Sequence, residues 1–284
     1  MPLPDFIIIG AQKCGTSSLH NYLDAHPDIG MSIEKEVQYF NEGYRWEKGL
    51  DWYKSRFREG PGFKGEASPQ YTWYPFHQQS AREMHKLLPD IKLIYMVRDP
   101  ITRIASQYQD WVAQFWERGN FEQVMQSILS NPEDRYRVTS SYWYQLEHYL
   151  EFYSPAQIKV VAQEDMYHNR TETIQDIIGF IGADPDFKSD IWEERIHTGE
   201  EKRRPNKLMQ WVVGDWLRMQ LLEPRAISHR TAYYIRQFIQ MTGSPVERPN
   251  PTGEDEQKLI ELFRNDVHKL REFAGQSFPH WRAY

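Results

Sequence analysis

The run Phe6-Ile7-Ile8-Ile9 leads directly into Gly10-Ala11-Gln12-Lys13-Cys14-Gly15-Thr16-Ser17-Ser18, and this junction constrains the fold more than any other feature. Consecutive β-formers without polar alternation read as a strand buried on both faces, as in a parallel sheet. After Gly15 the apolar spacing changes to Leu19, Tyr22, Leu23 and His26, one face of a helix closed by Pro27. A strand that turns through glycines into a helix brings backbone N–H groups, and the positive end of the helix, against an anion.

The same alternation recurs along the chain. Lys92–Val97 reads as a second buried strand, followed by Asp99 as N-cap and Pro100 as first helical residue. Gln157–Val161 reads as a third strand, with a helix over about 171–181 behind it. Helices are expected over 206–220, 228–241 and 254–274. No repeat, low-complexity stretch or long linker interrupts the pattern. The expectation is one α/β domain over residues 1–284, with a central parallel sheet flanked by helices and a helical C-terminal part.

Bulk properties narrow the function. The chain has 284 residues and a net charge of −6, which argues against general affinity for nucleic acid. Aromatic residues make up 14 %, enough to line an organic pocket as well as fill a core. Cys14 is the single cysteine, so no intrachain disulfide can form. The start has no basic stretch followed by a long apolar core, and the run at 6–9 is too short to span a membrane, so the default expectation is a cytoplasmic protein with no membrane association. The ten histidines include no metal-binding pair, so no metal site is expected.

The loop decides which phosphate chemistry is served. Its two glycines keep nucleotide-triphosphatase spacing, but Thr16-Ser17 stands where Lys-Ser/Thr belongs, and the lysine has moved inside the loop to Lys13. That suits a terminal 5′-phosphate and removes the usual Mg²⁺ arrangement. Cys14 reads as a small residue in a tight turn. At the end of the second strand Arg98 emerges at the edge where ligands bind open parallel sheets, with Ser106 two helical turns on; together they suit an isolated phosphate monoester. Glu34-Lys35-Glu36 supplies two carboxylates that would share one face of an extended segment, either able to serve as a base. Asp99 and Arg103 are spaced for a helix-surface pair.

These segments resemble the sulfotransferases that use 3′-phosphoadenosine 5′-phosphosulfate (PAPS). The loop is similar to their 5′-phosphosulfate loop, G-x-x-K-x-G-T-[TS]; residues 98–108 match their 3′-phosphate element, R-D-P-x-x-R-x-x-S-x-Y. Lys35–Phe40 followed by Lys48–Tyr53 resembles the K-E-x-[HQ]-[FY]-F … K-G-x-x-W-Y run of the heparan-sulfate-type branch. The resemblance implies Glu36 as general base with Gln38 beside it, and Lys13 as the cation at the breaking bond. It implies Lys13, Cys14, Gly15, Thr16, Ser17 and Ser18 around the 5′-phosphosulfate, Arg98 and Ser106 on the 3′-phosphate, and Tyr142 in the nucleotide site. Lys202, Arg203 and Arg204 stand where the family has a basic loop over the nucleotide, in an open register. The product would be adenosine 3′,5′-bisphosphate (PAP). One departure matters: where glycan-acting members carry a lysine, in Gly65–Tyr71, this chain has Ala67. With the acidic balance, that favours a small-molecule or carrier-bound hydroxyl or amine acceptor. A kinase-like phosphotransferase and a non-catalytic nucleotide-binding protein are the alternatives.

Overall fold

Why the sheet forms is visible in its two central strands. A computed structural model describes residues 2–41, 45–60, 62–114, 116–194, 202–204, 231, 234–235, 238, 243–282 and 284. In it β1 (Phe6–Gly10) and β4 (Lys92–Val97) lie side by side, parallel, with Ile8 opposite Ile94. Phe6 to Ile9 and Leu93 to Val97 are all fully buried, as strands covered by helices on both faces must be. β5 (Ile158–Ala162) extends the sheet beyond β4. Two further strands, β2 (Ile29–Met31) and β3 (Phe63–Ala67), extend it beyond β1, giving the order β2-β3-β1-β4-β5, all parallel.

The chain runs outward from β1 to β2, returns through β3, and then crosses to β4. The strand order therefore reverses between β1 and β4, the place where open parallel sheets bind ligands beyond their strand ends. Both anion-binding segments, residues 10–18 and 98–106, leave the sheet there.

Helices α1 (Thr16–Asp24), α2 (Gly49–Lys54), α3 (His77–Leu87), α4 (Pro100–Ala113), α5 (Phe121–Ser130), α6 (Arg135–Ser140), α7 (Tyr142–Leu150), α8 (Asp165–His168), α9 (Arg170–Ile181) and α10 (Glu254–Ala274) surround the sheet. The helix expected over 254–274 has those bounds. The one expected over 206–220, and all but four residues of 228–241, lie outside the described residues. Asp99 caps α4 as expected, accepting from the Thr102 N–H and hydroxyl. A short antiparallel pair, β6 (Arg203–Arg204) with β7 (Ser244–Pro245), lies against α4.

The expected Asp99–Arg103 surface pair does not form. Arg103 is fully buried and donates to Gln107 Oε1 and Ser140 Oγ, both at 2.8 Å. Asp99 instead binds Arg282 and accepts from the Tyr284 hydroxyl at 3.1 Å. Arg282 and Tyr284 thereby brace the turn that carries Arg98.

β3 buries charge. Glu66 is fully buried, and neither carboxylate oxygen has a well-formed hydrogen bond among the described residues. Burial pushes its pKa from 4.5 up to about 7, with the hydroxyls of Tyr71, Tyr53 and Ser68 only partly opposing. Because the folded pKa exceeds the unfolded one, the fold favours the protonated form. This contribution is complete below pH 4.5 and is lost as the pH climbs through about 7. Glu66→Gln is therefore expected to stabilise the protein above pH 7, by up to about 3 kcal/mol, and to change little at pH 4. Urea unfolding at the two pH values reads the difference. An equal effect at both would show that Glu66 keeps an ordinary pKa.

Candidate active site

The loop between β1 and α1 is shaped by close approach. A Cβ on Gly10 would sit 1.9 Å from Thr72 Oγ1, so no larger residue fits. Gly15 caps α1 with φ 85°, a left-handed conformation that costs glycine little. As a glycine it offers no side-chain cap, and the first turn of α1 holds no acidic residue. The first N–H groups of a helix have no intrahelical partner, so this end is prepared for an anion. Gly15, Thr16, Ser17 and Ser18 line a cavity of about 1170 Å³.

Lys13, at φ 70°, enters the same cavity and pairs with Asp110 of α4 at 3.2 Å. Burial lowers its pKa, and the charge of Asp110 works against that shift. Lys202 binds the same Asp110 carboxylate, so two lysines share one anion. Cys14 points the other way. Its side chain is fully buried beside the Tyr142 hydroxyl at 3.5 Å, and burial pushes the thiol pKa to about 11. It packs the turn.

At the end of β4, Arg98 and Ser106 both line the cavity, and Arg98 Nε is buried with no partner among the described residues. An unpartnered buried donor facing a cavity is suited to a ligand. Tyr142, expected in the nucleotide site, lies in the core instead: it is fully buried and accepts the Arg98 backbone N–H at 3.2 Å. With Cys14 on its other side, its hydroxyl ties the phosphate loop to the strand end that carries Arg98.

The two candidate bases go separate ways. Glu36 and Gln38 have φ of 64° and 53°, so the segment is not extended and the shared face of Glu34 and Glu36 does not exist. Glu34 pairs outside the cavity with Arg45 (3.1 Å) and Arg56 (3.2 Å). Glu36 lines the cavity, bound to Lys35 at 2.9 Å and accepting from Gln70 Nε2 at 2.8 Å and Gln38 Nε2 at 3.5 Å. Burial alone would raise its pKa; Lys35, Gln70 and Gln38 outweigh it and bring the carboxyl below its ordinary value. Glu36, the acid that geometry selects, is thus held in its ionised form at neutral pH.

The basic segment is only partly a wall. Arg203 donates to the Gly243 carbonyl, and Arg204 reaches the Tyr108 hydroxyl and the Gly119 carbonyl, each at 3.5 Å. Neither lines the cavity; Pro245, Val246, Glu247 and Arg248 do. The rest of the wall includes Trp73, Trp111, Trp116, Gln114, Gln163 and Tyr167. Among the described residues no cluster of three His, Cys, Asp or Glu could hold a metal ion.

Residues 3–208 match the sulfotransferase domain family. The chain belongs to that family. Along 277 aligned residues, 81 % of this sulfotransferase chain, it is 27 % identical to the bifunctional heparan sulfate N-deacetylase/N-sulfotransferase of Drosophila melanogaster. It is 39 % identical over 111 residues, 37 % of the chain, to the membrane-associated sulfotransferase kil1 of Dictyostelium discoideum. The chain covers only 25 % and 22 % of those two proteins. A sulfotransferase from Alicyclobacillus acidocaldarius shares the fold over all of both chains, with a TM-score of 0.69 at 24 % identity. Mouse sulfotransferase SULT7A1 complexed with PAP shares it over 95 % of this chain and 86 % of that one, with a TM-score of 0.53 at 14 % identity. The chain accordingly carries a sulfotransferase domain with a central parallel sheet, and no described helix is long and apolar enough to cross a membrane.

Proposed function

We propose that this sulfotransferase moves a sulfuryl group from PAPS to a hydroxyl or amine of a small, uncharged acceptor, with Glu36 as general base. The observation that carries the reading is the convergence of three elements on one cavity: the uncapped end of α1 with Lys13, the Arg98–Ser106 pair, and the ionised Glu36. The residues suit the donor. Arg98 Nε, Gln12 Oε1 and Gln163 Oε1 are buried and without partners among the described residues, one donor for phosphate and two acceptors for the hydroxyl or amino groups of a nucleotide. The PAP held by the mouse relative agrees with that choice.

The chemistry is an in-line displacement. Glu36 accepts the acceptor proton as a new bond to sulfur forms, and the bond from sulfur to the bridging phosphate oxygen breaks. Lys13 and the α1 N–H groups neutralise the charge that grows on the departing phosphate. The products are the sulfated acceptor and PAP. The amides of Gln38 and Gln70 give the base neutral polar neighbours, Lys35 is already paired with Glu36, and Trp73 adds apolar surface to the same cavity. This favours an uncharged acceptor over the polysaccharide that the heparan sulfate relatives are named for.

Titration calorimetry with PAP and with ATP, each with and without Mg²⁺, tests the donor. PAP is expected to bind more tightly than ATP and without need of the metal. Mg²⁺-dependent preference for ATP would overturn the reading in favour of phosphoryl transfer.

A further inference from the structure

The cavity holds a carboxylate beside the lysine of the phosphate loop. Asp110 lies on α4 one helical turn beyond Ser106, so the two side chains share the face that lines the cavity. The Asp110 side chain is only 5 % exposed, and both of its oxygens are engaged. Oδ1 pairs with Lys13 at 3.2 Å and with Lys202, and Oδ2 accepts from Gln114 Nε2 at 2.8 Å. Burial alone would raise the Asp110 pKa; Lys13 and then Lys202 outweigh it and bring the carboxyl below its ordinary value. Asp110 is thus a negative charge at neutral pH.

For an anion site this is a costly placement. The described lining residues include three acids, Glu36, Asp110 and Glu247, and Asp110 is the one that binds the loop lysine. A like charge fixed beside an incoming anion opposes it, and a lysine already neutralised attracts it less. Of the two partners, Asp110 is the fixed one. Gln114, a further turn along α4, holds its carboxylate, whereas Lys13 is a long side chain, 22 % exposed, that can swing.

We propose that Asp110 is a built-in counter-ion of the phosphate loop, which competes with the nucleotide's 5′-phosphate for Lys13 and so limits how tightly the nucleotide is held. The proposal rests on the PAPS reading above, which places Lys13 at the 5′ end. Asp110 is a positioning residue in this account, acting through Lys13 rather than on the reacting atoms. Its effect falls on every nucleotide with a 5′-phosphate, PAP included, and it eases the release of product after each transfer.

The test compares PAP with adenosine 3′-monophosphate, by calorimetry, on the wild type, Asp110→Asn and Asp110→Glu. Asp110→Asn is expected to tighten PAP binding about 10-fold and to leave the 3′-monophosphate, which has no 5′-phosphate, within about twofold. Asp110→Glu keeps the charge and is expected to stay within about threefold of the wild type on PAP. A damaged site would loosen PAP, so a gain in affinity separates this role from a structural one. Without Asp110 the two lysines face each other uncompensated, and thermal unfolding checks that Asp110→Asn still folds. The comparison is repeated in a Lys202→Met background, which removes that repulsion. Unchanged or weaker PAP binding in Asp110→Asn, or equal gains on both nucleotides, overturns the Asp110 assignment alone. So does a gain in Asp110→Glu as large as that in Asp110→Asn. A wild type that binds neither nucleotide overturns the assignment together with the PAPS reading.

Discussion

Glu36→Gln is expected to lower kcat/KM by about 10²-fold or more while leaving PAP affinity nearly unchanged. The amide keeps the size of the side chain and can still bond to Gln70, but it cannot take a proton. The sign of the pH dependence follows from the surroundings. Lys35, Gln70 and Gln38 hold the Glu36 carboxyl below its ordinary value of 4.5 against the opposing effect of burial. A base works only when deprotonated, so the acid limb that Glu36 imposes on kcat/KM lies below pH 4.5, and this group leaves the rate flat from pH 5 to 7. Rate profiles of wild type and variant check both statements. Full activity in Glu36→Gln would remove Glu36 from the chemistry, and an acid limb near pH 6 would show that another group is the base.

Lys13→Ala is expected to cost about 10²- to 10³-fold in kcat, with a smaller change in KM for the donor. The reason is when the charge is needed. Lys13 stands at the start of α1, where in the proposed reaction charge would grow on the leaving phosphate as the bond to sulfur breaks, so its stabilisation would be greatest in the transition state. In the proposed reaction Arg98 and Ser106, at the neighbouring strand end, would meet a phosphate whose charge does not change during transfer. Their removal is expected in binding rather than in kcat. Asp110 makes the contrast sharper. It already neutralises part of the Lys13 charge and shares it with Lys202. Steady-state kinetics of Lys13→Ala beside Arg98→Ala separates the roles: a loss confined to KM in the lysine variant would make Lys13 a binding residue only.

What is legible in the sequence is what is local. The apolar run of β1, the glycines of the loop and the face of α1 follow each other without interruption, and each residue's role depends on neighbours a few positions away. Arg98 and Ser106 share one helix entry, so their common destination can be read from one segment. β2 and β3 are hidden because they are short and because β3 carries Lys64 and Glu66, charges that a strand pattern places outside but that this fold buries. Arg103 misleads for the same reason: four residues from Asp99, it suggests a surface pair, whereas Gln107 and Ser140 bind it inside the core. The choice between Glu34 and Glu36 depends on positive φ at Glu36 and Gln38, which alternation along a strand cannot anticipate. For Tyr142 the neighbourhood is right and the side of it wrong, since it supports Arg98 from beneath rather than facing the cavity. Arg248 has no local signal. Only the pairing of β6 with β7 and the bond from Gln109 to the Val246 carbonyl bring it to Ser106.

The central claim is tested most directly by incubating the enzyme with PAPS labelled in its sulfuryl group and a panel of phenols, alcohols, amines, neutral sugars and sulfated oligosaccharides. The expected result is label on an uncharged acceptor class, formed together with one equivalent of PAP and lost in Glu36→Gln. Absence of label on every acceptor, from a protein that also fails to bind PAP, would contradict PAPS-dependent sulfuryl transfer at this site.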